Sequence, residues 1–197
     1  MTEAKKNPTK LVTPDVVRLC YLHVLEPKEN DKGEKKYQCS ILVPKSAKKT
    51  LDAYKACVEA VKVDPYSAKK WQTSVGKAPQ GLKMPLRDGD AEKADEHPEY
   101  AGHFFFNATS NLQPGIVDLK LQKILDPTEI YSGMYARVAV EFYAFNNSGN
   151  KGIAAGLLNI QKVRDGEPLA GTPSKAEDDF AGYGDAPPPP GDDDYLS

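Results

Sequence analysis

The sequence predicts a mainly β protein, a small Greek-key barrel with one helical insertion after its second strand. Three observations point there. Short runs in which apolar and polar residues alternate recur along most of the chain, and a period of two marks strands with one buried face. Apolar residues at helical spacing occur in one region only, between the second and third of those runs, which argues against a βαβ sheet. Clusters of Gly, Pro, Asn and Asp punctuate the gaps, as turns between antiparallel strands require.

Residues 13–25 (TPDVVRLCYLHVL) are rich in β-branched and aromatic side chains and read as the first strand. Val17, Leu19, Tyr21 and His23 fall on one face, and Arg18, Cys20 and Leu22 on the other. The polar stretch EPKENDKGEKK is a turn-rich loop. Residues 37–43 alternate more cleanly, Tyr37, Cys39, Ile41 and Val43 opposing Gln38, Ser40 and Leu42, and Pro44 closes this second strand. The two pair as an antiparallel ribbon with a basic tip. Ser46 stands where it can cap a helix whose Leu51, Tyr54, Val58 and Val61 share a face. A second, short helix starts with Asp64 as N-cap and Pro65 in its first turn and runs through Trp71 towards Gly76. Residues 77–102, with Gly81, Pro85, Gly89, Pro98 and Gly102 among many charges, read as a long surface loop. Residues 103–109 (HFFFNAT) are a third strand, and residues 115–125 hold a short fourth. In the longest strand, residues 135–145, Ala136, Val138, Val140, Phe142 and Ala144 face one way. The turn-rich NNSGNKG then lets residues 153–163 return as its hairpin partner.

The 197 residues, 40% hydrophobic and 27% charged, suffice for one domain with a real core plus an appendage. No run approaches the roughly 18 apolar residues of a membrane helix. The polar, lysine-bearing start has no apolar stretch of a secretory signal behind it, so a cytoplasmic location is expected. Cys20, Cys39 and Cys57 are odd in number and lack Cys-x-x-Cys spacing, which favours buried, reduced thiols over disulfides or zinc. The net charge of −2 hides a division: residues 165–197 carry nine acids against one base, a net −8, which leaves +6 on residues 1–164. We therefore divide the chain into a folded domain, 1–164, and a tail, 165–197. A basic body points to a polyanionic partner. The acidic, Pro-rich tail has too few apolar groups to offset the entropy of ordering and is expected to be disordered.

No familiar catalytic or cofactor-binding signature is present: no P-loop, no dinucleotide-binding glycine pattern, no GxSxG and no HExxH. His23, His97 and His103 lie in unrelated surroundings. Asp88, Asp90 and Glu92 could suggest a divalent-metal site for phosphodiester cleavage. They lack a completed Ca²⁺-loop pattern and read better as a solvated acidic turn. No enzyme, metal or cofactor is therefore expected; a metal-dependent nuclease and a protein-interaction module are the alternatives.

Proteins that bind single strands need cations that track phosphates and rings on which bases stack, each stack contributing about 1–3 kcal/mol. Several rings here lie beside basic residues: Tyr21 near Arg18, Tyr37 beside Lys35 and Lys36, and Tyr135, Tyr143 and Phe145 near Arg137 and Lys151. Three consecutive phenylalanines cannot all point into a one-sided core, so Phe105, or else Phe104 and Phe106, faces outward. Stacking does not separate DNA from RNA. The tail can lie across a basic groove as a mimic of DNA, and Tyr195 and Leu196 behind Asp192, Asp193 and Asp194 can offer partner proteins an apolar tip with flanking charge.

Four stretches carry a family resemblance: YQCSILVPKS at 37–46, MPLRDGD at 84–90, HFFFNATS at 103–110 and, most specific, IYSGMYARVAVEFYAFNNSGNKGIAAGLLNIQKV at 130–163. In them the chain resembles bacteriophage-encoded single-stranded-DNA-binding proteins. The resemblance implies an OB-fold-like barrel that coats unpaired DNA during phage replication or recombination, in the host cytoplasm, and recruits replication or recombination proteins through the tail. The ending Tyr195-Leu196-Ser197 departs from the Pro-Phe that closes bacterial relatives. The residues expected to contact DNA are Arg18, Tyr21, Lys36, Trp71, Lys83, Arg87, Phe105, Arg137, Tyr143 and Lys151, bases on phosphate and rings under nucleobases. A homodimer stays open.

Overall fold

The structure is a computed structural model that describes residues 7–29 and 33–169. Its strands are β1 (Lys10–Val12), β2 (Val17–Glu29), β3 (Lys35–Pro44), β4 (Arg87–Asp88), β5 (His103–Ser110), β6 (Gly115–Val117), β7 (Tyr135–Asn147) and β8 (Asn150–Arg164). Its helices are α1 (Lys48–Val63), α2 (Pro65–Trp71) and α3 (Gly89–Glu92), with single 3₁₀ turns at Pro98–Tyr100 and Pro127–Glu129.

The long strands close a ring. β7 pairs with β2, β2 with β3, β3 with β5 and β7 with β8, all antiparallel, and β5 meets β8 in parallel. This is the expected mainly β, OB-like Greek-key barrel, with its helices inserted after the second long strand. β1 extends the sheet beside β7, and β6 runs parallel to β8. The β5–β8 seam is short, Ala108 and Thr109 against Ala155 and Gly156, and beyond it Lys83 bridges Gly152 while β4 takes the same edge of β5.

Alternation sets what lies inside. Ala136, Val138, Val140, Phe142 and Ala144 of β7 are buried with Ile153, Ala155 and Leu157 of β8, as a period of two demands, and a register shift beyond Leu157 makes Ile160 the next buried residue. The hairpin reverses through Ser148 and Gly149, both at positive φ (50° and 88°), the geometry that matches the right-handed twist of the flanking strands. On β2 the expected faces hold from Val17 to Cys20, Val17 and Leu19 lying in the barrel core and Cys20 opposite, and reverse beyond it. Tyr21 adopts φ +49° at a break in register between Cys20 and His23. Such a bulge turns the strand over, so Leu22 and Val24 pack on the barrel core where regular alternation would place Tyr21 and His23, and Tyr21 points to solvent.

The insertion seals the barrel. Tyr54 of α1 packs edge-on to Phe142 and stacks on Phe106, with ring centroids 5.3 and 6.4 Å apart. Ser46 is not its cap: the cap position is Ala47, without a side-chain bond. Asp15 supplies the missing acceptor from before β2, its Oδ2 taking the Thr50 amide at 2.9 Å and the Thr50 hydroxyl at 3.1 Å. Asp64 caps α2 as expected, accepting from Ser67 N at 2.9 Å.

Trp71 ends α2 fully buried, and its Nε1 donates to the carbonyls of Phe145 and Gly152, both at 3.2 Å. The ring fastens the insertion to the hairpin and offers no face to a base. Residues 77–102 are likewise more than a surface loop, since they supply β4, α3 and the buried Tyr100. At Gly89 an added Cβ would run into the carbonyl oxygens of Tyr100 and His103, so only glycine lets this strap lie so close.

The folded body also continues past Arg164. Glu167 O accepts from Arg18 at 2.8 Å, Leu169 N donates to Ser132 O at 2.9 Å, and Tyr131 Oη bonds Asp165 at 2.8 Å. Residues 170–197, including the stretch expected to be disordered, lie outside the described residues. Among those described, no helix is long and apolar enough to cross a membrane.

Replacing Trp71 removes a fully buried indole and its hydrogen bonds to two carbonyls. Trp71→Ala should cost about 3–5 kcal/mol in urea unfolding, whereas Tyr66→Ala, on the exposed side of α2, should stay within about 0.5 kcal/mol of the parent.

Candidate nucleic-acid interface

The β3–β5 ladder has two faces. Cys39, Ile41 and Val43 of β3 and Phe106 and Ala108 of β5 belong to the barrel core, which leaves Gln38, Ser40 and Leu42, opposite Thr109, Asn107 and Phe105, on the outside. The upper part of that outer face is roofed by the strap: Leu42, Cys20, Phe105 and Tyr100 form a second, small apolar cluster, with Leu169 packed against it. Tyr100 meets Phe105 edge-on at 4.8 Å, and the Arg87 guanidinium lies 4.3 Å from the Phe105 ring centre while pairing with Glu92 at 3.2 Å.

Below the roof the face opens into a cleft of ≈ 270 Å³. Its floor is polar, Ser40 donating to Asn107 Oδ1 at 2.6 Å with Gln38 alongside. Tyr21 and His23 form the β2 wall; Arg87 and Lys93 form the strap wall; Lys28 closes one end. Tyr21 Oη shares a hydrogen bond with His97 Nδ1 at 3.0 Å, which joins the β2 wall to the strap. Lys28 and Lys93 make no ion pair among the described residues. Burial pushes the thiols behind this face up, Cys20 to about 11 and Cys39 to about 12, so both stay protonated and inert at neutral pH.

The acidic turn is neutralised from within. Lys45 Nζ lies 2.7 Å from Asp88 and 2.8 Å from Asp90, and 5.0 Å from the Phe104 ring centre. These contacts hold both carboxyls below the usual carboxylate range, Asp90 helped by the Gly102 amide, and raise the Lys45 ammonium. The place a divalent ion would take between Asp88 and Asp90 is filled by an ammonium. Among the described residues no group of three or more His, Cys, Asp or Glu is arranged to hold a metal.

Of the residues expected to contact DNA, Tyr21, Arg87 and Phe105 line this one cleft. Lys36 sits opposite Lys28 on the β2–β3 ribbon and pairs with Glu34 at 3.3 Å. Phe105 faces outward as reasoned, yet it is 1% exposed because Arg87 and Tyr100 cover it. Lys83 and Lys151 lie together at the hairpin tip, the Lys151 ammonium on the Trp71 carbonyl. Arg18 is spent on the carbonyls of Gly133 and Glu167. Arg137 and Tyr143 stand on β7, which pairs with neither β3 nor β5, and Tyr143 lines a separate cleft with Tyr66. The floor residues Gln38, Ser40 and Asn107 went unnamed, although the alternation of β3 already placed Gln38 and Ser40 opposite the core. Lys28, Lys93 and Tyr100 come from loop-like sequence with no periodic signal.

Residues 9–192 match the family model described as Enterobacter phage Enc34, ssDNA-binding protein. The chain belongs to that family. A relative from Acyrthosiphon pisum secondary endosymbiont phage 1, named putative protein p50, is 31% identical over 160 residues, 79% of this chain and 84% of the relative. Among solved structures, the single-stranded DNA-binding protein of bacteriophage Enc34 in complex with ssDNA superposes with a TM-score of 0.63 at 25% identity, covering 85% of this chain and 97% of that one. The single-stranded DNA-binding protein gp2.5 of bacteriophage T7 shares the fold at a TM-score of 0.58 and 14% identity, covering 88% and 99%. The family is one of binding proteins, not of catalysts.

The strap's ion pairs set a pH dependence. Because the Asp88 and Asp90 pKa values are lowered on folding, their contribution is complete above the unfolded value near 3.9 and lost as pH falls through the folded ones. Lys45→Met should therefore lower the urea midpoint at pH 7, and the gap to the parent should narrow as the pH is brought below the unfolded value near 3.9.

Proposed function

We propose that this chain binds single-stranded DNA, with little sequence preference, across the outer face of β3 and β5, and coats unpaired DNA during phage replication or recombination. The observation that carries this reading is the cleft itself: a polar floor, an exposed ring at its rim, and Lys28 and Lys93, which make no ion pair among the described residues. In small Greek-key barrels of this kind that face and its flanking loops take oligonucleotides. Lys28, Arg87 and Lys93 contact phosphates, Tyr21 stacks on a base, and the Gln38 and Asn107 amides meet base edges. Lys36 extends the cationic track along the ribbon. Phe105 supports the site from beneath Arg87. Membership in a family of phage ssDNA-binding proteins and likeness to a protein solved with ssDNA support the same assignment.

The tail has two roles in this proposal. Its acids compete with DNA for the cations of the body, and Tyr195 and Leu196 behind Asp192, Asp193 and Asp194 recruit replication or recombination proteins. The competition follows from charge: removing residues 170–197 takes away seven acids and one base and changes the net charge from −2 to +4.

Fluorescence titration of labelled oligo-dT at several salt concentrations tests the site. Affinity should fall steeply with salt, and Arg87→Ala should reduce the log–log slope by about 0.7, one phosphate contact on a single strand. Tyr21→Ala should cost about 1–3 kcal/mol with the slope unchanged. Removing residues 170–197 should tighten binding most at low salt. Salt-insensitive binding, or equal affinity for duplex, removes the proposal.

A further inference from the structure

Tyr21 borders a second cavity besides the cleft. With Cys20, His97, Glu99, Ser132 and Leu169 it lines a space of ≈ 290 Å³, close to the roughly 300 Å³ at which small-ligand pockets begin. Tyr21 alone lines both spaces, so its ring stands between them. The second cavity holds a carboxylate that the fold leaves without a strong partner. The Glu99 side chain is 16% exposed, and its one ion pair among the described residues is a 3.7 Å contact with His97 Nδ1. Among those residues no hydrogen bond reaches it. A covered carboxylate has lost hydration that a donor must replace, and one so poorly satisfied calls for a reason. Burial first, and the Glu99 charge after it, push the Tyr21 phenol up, which sets that charge close to the ring. Ser132 supplies the opposite function: its Oγ accepts from the Leu22 amide at 3.1 Å, so its own hydrogen is left to donate.

An acceptor pair and a hydroxyl donor between aromatic walls discriminate among nucleobases. Proteins read unpaired bases in this way, stacking them on rings and hydrogen-bonding their Watson–Crick edges. Guanine presents two adjacent N–H groups, N1–H and the 2-amino group, with a carbonyl beside them, and one carboxylate takes both. Thymine has a single N–H flanked by carbonyls, one of which would face the carboxylate. Cytosine and adenine each set one amino group beside a ring nitrogen that only accepts. Phosphate is repelled by Glu99, so a base enters rather than the backbone. We propose that this cavity is a guanine-selective subsite for one nucleotide of the bound strand, Glu99 taking N1–H and the 2-amino group, Ser132 donating to O6, and Tyr21 and His97 packing against the base. The proposal rests on the assignment of the neighbouring cleft to single-stranded DNA and makes Tyr21 a divider between two successive bases. Because the preference concerns one nucleotide, strands of any sequence still bind.

The test is fluorescence anisotropy of the full chain with short labelled oligo-dT strands in which a single dG is moved through every position. One register should bind about tenfold more tightly than unbroken dT, the discrimination of one bidentate base contact. Deoxyinosine in place of that dG lacks the 2-amino group and should lose most of the gain, and Glu99→Gln should bring the dG-to-dT affinity ratio close to one. A ratio of one at every position, a gain that deoxyinosine keeps in full, or a gain that survives Glu99→Gln overturns the proposal. The base analogue needs no variant, so it decides the matter if the thermal midpoint shows Glu99→Gln to be misfolded. The salt slope of Arg87→Ala separates the two assignments: a flat base ratio with the slope still reduced removes the cavity alone, whereas an unchanged slope counts against the cleft.

Discussion

The register of β3 against β5 is the constraint on which the other features depend. Ser40 faces Asn107, Ile41 faces Phe106 and Leu42 faces Phe105, so the ladder gives one set of side chains to the barrel and the other to the cleft. A slip of β3 by one residue would carry Gln38 and Ser40 inside and put Ile41 and Val43 on the outer face. Each large apolar side chain so displaced forfeits about 1.5–3 kcal/mol. The outer face inherits the same register, because β4 pairs Arg87 with Phe105 and Asp88 with Phe104. The strap's height above the cleft follows from those two pairs.

What was legible in the sequence was whatever repeats. The β7–β8 hairpin could be read because period-two alternation runs along β7 and turn residues separate it from the apolar return strand. β3 was legible for the same reason, and α2 because Asp64 and Pro65 mark a helix start. The strap was not. β4 is two residues long, and its tie to Lys45 joins residues more than forty positions apart, where local pattern carries no information. The same holds for Asp15 capping α1 and for Trp71, whose aromatic character fits a stacking platform as well as a buried anchor. Burial separates the two, and burial is a property of the closed barrel rather than of residues 65–71.

The charge pattern of the cleft also depends on contacts that composition cannot show. A count of +6 for the body suggests many cations for a polyanion, yet Arg18 and Lys45 are consumed by the chain's own acceptors and Lys162 pairs with Asp165 at 2.8 Å. The Lys45 bridge matters beyond its own stability, since it removes two carboxylates that would otherwise repel phosphates from the strap. What remains at the cleft is Lys28 and Lys93, with Arg87 held by a single carboxylate. Phosphate can compete for that guanidinium, because the Arg87–Glu92 pair is about two-fifths exposed on both sides and exposed pairs contribute little.

Tyr21 joins the backbone to this chemistry. A tyrosine at φ +49° costs roughly 1 kcal/mol or more and persists only where its surroundings over-determine it. Here Leu19 is buried in the barrel core, Cys20 is buried under the strap, and His97 holds the hydroxyl. Regular alternation would have sent the Tyr21 ring to the same face as Leu19, into the core. The bulge instead turns Leu22 and Val24 to the core and sets the ring, 45% exposed, at the rim of the polar floor. A strand that packed as regularly as β7 would have a better ladder and no ring for a base, so the break in β2 trades local hydrogen bonding for an accessible aromatic face.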